Sequence, residues 1–181
     1  MIPFNKPFRA TNELEYVTEA LASGLLSGDG PFTKRASELL SQLVGGGDVL
    51  LTTSCTHALE MAALLLNLGP GDEVIMPSFT FVSCANAISL RGATPIFVDA
   101  RSDTFNIDET KVAEAITERT KAIFVVQYSG VAVNLDEILR IDNENNLKVI
   151  EDNAHGLGGT YKGRPLGSFG TLATQSFHVT K

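Results

Sequence analysis

The chain has 181 residues, of which 44% are apolar and 19% charged, a balance that fits a folded globular protein and excludes a disordered or low-complexity one. Its 14 Lys+Arg stand against 21 Asp+Glu, and a net charge of −7 makes it a poor binder of a nucleic-acid backbone. No apolar run approaches the ~18–20 residues of a membrane span, and the first residues lack the charged head and apolar stretch of a secretory signal. Cys55 and Cys84 match neither a metal spacing nor a disulfide framework, so a reducing cytoplasm is the expected setting.

Thr11 or Asn12 can cap a first helix running through Tyr16 and Leu21 to Gly24. Ser27-Gly28-Asp29-Gly30-Pro31 is a turn. Pro31 opens a second helix that carries Phe32, Leu39, Leu40 and Leu43 and stops at Gly45-Gly46-Gly47. Val49-Leu50-Leu51-Thr52 reads as a buried strand. A helix follows from Ser54, with Leu59, Ala62, Ala63 and Leu66 on its apolar side, until Gly69-Pro70-Gly71-Asp72 stops it. The alternation then repeats. Strands are expected over 73–76, 96–98, 122–127 and 147–150, and helices over 81–90, from Asp108 through Val112 and Ile116, and over 135–145. The strand over 147–150 delivers Glu151 and Asp152 at its carboxyl end, and two more candidate strands lie around Thr160-Tyr161 and over 172–177. This order predicts an α/β fold around a mostly parallel sheet covered on both faces. No internal repeat or linker divides the chain, so one domain is expected. Ligands of such sheets sit outside the carboxyl ends of the strands.

Several residues at those ends could carry chemistry. Thr52-Thr53-Ser54-Cys55-Thr56 precedes a helix, where hydroxyls and free N–H groups either cap the helix or hold an anion. It is not a P-loop, and no Rossmann glycine fingerprint is present. Asp152 could be a cap, a metal ligand or the partner of a cationic nitrogen, with His155 three residues on. A metal reading lacks a further ligand at suitable spacing. His57 and His178 suit local structural roles. Ser176 and Lys181 lie five positions apart, and such a lysine is either a surface residue or a Schiff-base former beside a phosphate site. Phe81 is either core or a face for a flat cofactor. An anion site, an aromatic, an aspartate, a histidine and a lysine at the strand ends of one sheet are the parts that pyridoxal phosphate needs.

The sequence resembles the DegT/DnrJ/EryC1/StrS family of nucleotide-sugar aminotransferases, within the fold-type I pyridoxal phosphate superfamily. The resemblance rests on Ile2-Pro3-Phe4-Asn5, Ser27-Gly28-Asp29-Gly30-Pro31-Phe32-Thr33, Ser54-Cys55-Thr56, the run from Gly71 to Val82, Asn106-Ile107-Asp108, Glu151-Asp152-Asn153-Ala154-His155 and the run from Ser176 to Lys181. Within the family, the runs from Leu51 to Leu66 and from Gly71 to Phe81 most resemble the members that make dTDP-4-amino-4,6-dideoxygalactose for enterobacterial surface polysaccharides, among them lipopolysaccharide and common antigen.

The resemblance implies an α/β/α large domain over residues 1–181, opening with a helical segment at about 1–45 and lacking a C-terminal small domain. It also implies roles residue by residue. Lys181 would bond the cofactor aldehyde and shuttle a proton, and Asp152 would pair with the pyridine nitrogen. His155 would lie by the ring hydroxyl, Phe81 would stack on the ring, and Cys55, Thr56 and Ser176 would hold the phosphate. The implied reaction moves an amino group from L-glutamate to a dTDP-4-keto-6-deoxyhexose, in a homodimer with shared active sites. A lysine at 181 favours transamination, since dehydrating relatives have a histidine there. A histidine common in the family just before Tyr128 is Gln127 here, so residues 127–130 are expected to meet cofactor or substrate differently. Family members are roughly twice this length. The competing expectations are a truncated, non-catalytic fragment or pseudoenzyme that keeps the fold, and a generic doubly wound nucleotide binder.

Overall fold

The computed structural model describes residues 1–3 and 5–181, so Phe4 of the Ile2-Pro3-Phe4-Asn5 motif lies outside the described residues. The strands among them are β1 (Glu73–Pro77), β2 (Thr94–Val98), β3 (Thr120–Val126), β4 (Lys148–Asp152), β5 (Thr160–Tyr161), β6 (Arg164–Pro165) and β7 (Leu172–Thr174). Five of them form one sheet in the order β2-β1-β3-β4-β7, and every pairing in it is parallel. The helices are α1 (Glu13–Ala22), α2 (Pro31–Leu43), α3 (Cys55–Leu65), α4 (Val82–Ser89), α5 (Glu109–Val112) and α6 (Leu135–Asn145). No helix among the described residues is long and apolar enough to cross a membrane.

The strands are continuously apolar because both faces of the sheet are covered. Leu59, Ala62 and Ala63 of α3 and Cys84, Ala87 and Ile88 of α4 pack against Ala122, Phe124, Val126 and Ile150. Val112 of α5 and Leu135, Ile138 and Ile141 of α6 pack against Ile75, Ile123, Val125 and Val149 on the opposite face. This is the expected α/β/α arrangement. The chain steps from β1 outward to β2 and then crosses back to β3, so the strand order reverses beside β1. Such reversal points are where open α/β sheets bind ligands.

Successive residues of a strand point to opposite faces. Ile150 and Asp152 therefore share the face of α3 and α4, whereas Val149 and Glu151 share the other. Glu151 is fully buried. Its carboxylate accepts from Gln127 Nε2 at 2.9 Å and from the backbone N–H groups of Gly167 at 3.0 Å, Phe169 at 2.7 Å and Gly170 at 2.8 Å. These bonds tie down the loop that feeds β7. Gly170 closes the same anchor, because a Cβ there would stand 2.6 Å from the Val149 carbonyl oxygen.

Three expectations are corrected. Residues 49–52 form no strand, and Leu50 is 71% exposed. A strand needs a hydrogen-bonded neighbour, and a cleft separates this segment from β7. The helix expected from Asp108 to Ile116 is a single α turn, α5, continued by a 3-10 turn over Ala113–Ala115. The strand expected over 172–177 ends at Thr174. Gln127 is fully buried and serves Glu151 and the N–H of Val133, so it faces away from the strand-end site. Helices α1 and α2 form as expected but bury no residue, and their Leu14, Val17, Leu21, Leu39 and Leu43 are exposed. They meet through Tyr16 and Phe32, with Arg35 over both rings.

Glu151→Ala strips the acceptor from several buried donors at once. Urea unfolding should show a loss of at least ~3 kcal/mol, and an unchanged midpoint would contradict the anchor.

Candidate cofactor site

Asp152 ends β4 and is 5% exposed. Its Oδ1 accepts from the N–H of Ala154 at 3.1 Å, and its Oδ2 accepts from the Cys84 thiol at 3.1 Å. Among the described residues no lysine, arginine or histidine lies within ion-pair distance of it. A buried carboxylate without a counter-ion is costly. Its two remaining lone-pair positions suit a cationic N–H donor brought by a ligand.

His155 follows in the turn after β4. Its Nδ1 accepts from the N–H of Ser129 at 3.2 Å, and its Nε2 lies 2.7 Å from Lys181 Nζ. The first bond uses Nδ1 as an acceptor, and the second places the Lys181 amine within hydrogen-bond distance of the other ring nitrogen. Partial burial, followed by the Lys181 charge, holds the His155 ring below its ordinary 6.5, while Asp152 acts the other way. Asn106 braces this arrangement from a distance. It is buried, its Oδ1 accepts from the N–H of Tyr128 at 2.9 Å, and its Nδ2 donates to the Val131 carbonyl at 2.9 Å. That clamp shapes the turn in which Ser129 takes a φ of 52°. Tyr128 also meets the His155 ring edge-on at 5.6 Å and Phe79 at 5.1 Å.

The anion side is built at the start of α3. Ser54 Oγ caps the helix by accepting from the N–H of His57 at 3.1 Å. The first intrahelical bond runs from Ala58 N–H to the Ser54 carbonyl, which leaves the N–H groups of Cys55 and Thr56 ahead of the ladder. Cys55 Sγ lies 3.6 Å from Thr174 Oγ1. Ser54, Cys55, Thr174 and Ser176 line a cleft of about 1130 Å³ between α3, β7 and residues 44–53. Asp152, His155, Lys181 and Phe81 are not among its lining residues, so the cleft adjoins the strand-end cluster without containing it. The two still sense each other electrostatically. Burial raises the Cys55 thiol, the Asp152 charge raises it further, and the Thr174 contact and then Lys181 lower it.

Phe81, the N-cap of α4, is 72% exposed, which removes the core reading and leaves a free aromatic face. Asp152, His155 and Lys181 are brought together, Cys55 and Ser176 share the adjoining cleft, and Thr56 stands beside Cys55 on α3. Sequence reasoning did not single out Cys84, Thr80, Asn106 or Thr174 as site residues. Thr80 and Cys84 stand one helical turn apart, a spacing readable in the sequence, but their meeting with Asp152 is not.

The chain matches the DegT/DnrJ/EryC1/StrS aminotransferase family over residues 8–181. It is 41% identical to the spore coat polysaccharide biosynthesis protein SpsC of Bacillus subtilis, over 99% of this chain and 46% of that protein. Spr1654 from Streptococcus pneumoniae, solved in a PMP form, superposes with a TM-score of 0.94 at 34% identity, over 100% of this chain and 49% of that one. DesI, solved in the presence of its TDP-sugar product, superposes with a TM-score of 0.89 at 36% identity, over 98% of this chain and 44% of that one. The chain thus spans about half the length of the relatives it matches.

A neutral His155 is a folded-state preference that can be read directly. Its NMR titration midpoint should fall below 6.5, rise in Lys181→Ala and fall further in Asp152→Asn. Because the folded value lies below the unfolded one, this histidine favours the folded state above the unfolded value of ~6.5 and loses that contribution as pH drops. A midpoint unmoved by either substitution would contradict the geometry.

By the match over residues 8–181 and by its fold, the chain belongs to the DegT/DnrJ/EryC1/StrS aminotransferase family.

Proposed function

We propose that this chain is the cofactor-binding large domain of a pyridoxal phosphate-dependent sugar aminotransferase, with an N-terminal helical segment at about 1–45. The observation that carries the reading is the buried carboxylate of Asp152, without a counter-ion among the described residues, at the strand end that leads to the His155–Lys181 pair. The residues fit the group. Asp152 offers an acceptor to a protonated ring nitrogen, Lys181 an amine to the aldehyde, and Phe81 an aromatic face. The α3 N-terminus at Cys55 and Thr56, with Ser176, offers donors to the phosphate. Spr1654, solved in PMP and PLP forms, supports the same cofactor.

When bound, pyridoxal phosphate supplies an aldehyde that carries the amino group and a ring that takes up the electron pair of the donor carbon. The chain's residues do the rest. Asp152 keeps the ring nitrogen protonated. His155 Nε2 holds the Lys181 amine in place. Lys181 Nζ takes the proton from the α-carbon of the amino donor and returns it to the acceptor carbon. The donor in this reading is L-glutamate. The acceptor is a dTDP-linked 4-keto-6-deoxyhexose bound for a surface polysaccharide, supported by the TDP-sugar of DesI and the polysaccharide role in the name of SpsC. The relatives' greater length supports turnover that also draws on a further, small domain. The reading further takes the enzyme as a cytoplasmic homodimer with shared sites.

Adding pyridoxal phosphate to the chain should produce a visible absorption band absent from the free cofactor, and Lys181→Ala should abolish it while leaving circular dichroism unchanged. A folded chain with no band would overturn the reading. Assayed with L-glutamate and a dTDP-4-keto-6-deoxyhexose, the 181 residues alone should turn over weakly or not at all. A rate in the common enzymatic range of ~1–10³ s⁻¹ would refute the need for a second half.

A further inference from the structure

We propose that Cys84 is a positioning residue for Asp152: its S–H bond to Oδ2, braced by Thr80, fixes the carboxylate in the orientation that meets a protonated ring nitrogen. The inference rests on the pyridoxal phosphate reading and deepens it at one residue. Cys84 is fully buried on α4, in the layer that covers the Asp152 face of the sheet. Thr80 stands four residues earlier, and its hydroxyl donates to Cys84 Sγ at 3.2 Å. The sulfur in turn donates to Asp152 Oδ2 at 3.1 Å, across 68 residues of sequence.

The geometry of the acceptor gives this relay its purpose. A carboxylate has about four lone-pair positions. The thiol takes one on Oδ2 and the Ala154 N–H takes one on Oδ1, so the carboxylate plane is held at both ends. One position on each oxygen stays open. Among the described residues, Cys84 is the one side chain bonded to Asp152. A thiol is a weak donor. It orients the carboxylate while drawing off less of its charge than a hydroxyl would, and so leaves a strong acceptor for the ligand. Burial and the adjacent Asp152 charge both push the thiol upward and keep it neutral, which suits a fixed donor and not a nucleophile or redox group.

Two substitutions separate orientation from packing. Cys84→Ala and Cys84→Ser remove the same sulfur and leave nearly the same volume, but only serine keeps a donor. A packing role predicts that the two are equally harmful. The positioning role predicts that serine is tolerated and alanine is not. Alanine should weaken the pyridoxal phosphate Kd about tenfold, and serine should stay within about twofold of wild type. With cofactor labelled with ¹⁵N in the ring, the nitrogen resonance should stay at its protonated position in the serine variant and move toward the unprotonated one in the alanine variant. A cofactor-free arm uses the infrared S–H stretch of the apo chain in a Cys55→Ala background. Asp152→Ala should shift that band upward. Equal cofactor binding by the alanine and serine variants, or a band unmoved by Asp152→Ala, overturns this role alone. A wild-type chain that binds no pyridoxal phosphate overturns the cofactor reading, and this role falls with it.

Discussion

The structure turns on the two-residue period at the carboxyl end of β4. It sends two neighbouring buried carboxylates to opposite faces of one sheet. Glu151 lands among N–H donors and is saturated by them. Asp152 lands among a thiol, one backbone N–H and no cation within the described residues. A slip of one residue would exchange these fates and put an anchored carboxylate where an open one now stands. The continuous apolar strands on either side hold the register, with Val126 opposite Asp152 and Asp152 opposite Thr174.

From that division the rest of the site follows. The Glu151 face fixes residues 167–170 and therefore the course of β7, beyond which lie Ser176 and Lys181. The Asp152 face receives α4 through Cys84 and α3 through the nearby Cys55. His155 is reached from a third direction, by Asn106 acting through the turn at Tyr128 to Val131. Loops carry His155 and Lys181, and a rigid sheet decides where each loop begins. The unusual backbone at Ser129, with a φ of 52°, belongs to the same arrangement, since it points an N–H at Nδ1 of His155.

Much of this was legible in the sequence because the signals were local. Short apolar runs gave the sheet strands, and Ser54 and Asp108, both read as caps, each accept from a backbone N–H at the start of the helix that follows. Asp152, His155 and Lys181 stood out because each follows a strand-like run, where α/β sheets gather ligand groups. What was not legible depended on partners. Residues 49–52 have strand composition, yet composition cannot supply the neighbouring backbone that makes a strand. The apolar stripes of α1 and α2 promised burial, but no surface among the described residues covers them. Gln127 looked like a site residue by position, and only the parity of its strand turns it toward Glu151. Cys84 looked inert, because its partner lies far along the chain.

The central claim is that one amine, that of Lys181, is set apart for the cofactor by its neighbours. The most direct measurement treats the chain with stoichiometric pyridoxal phosphate, reduces it with borohydride to fix any lysine–aldehyde adduct as a stable secondary amine, and maps the modified peptide by mass spectrometry. The account predicts modification concentrated at Lys181. Modification spread over other exposed lysines such as Lys34 and Lys162, with Lys181 no more reactive than they are, would contradict it.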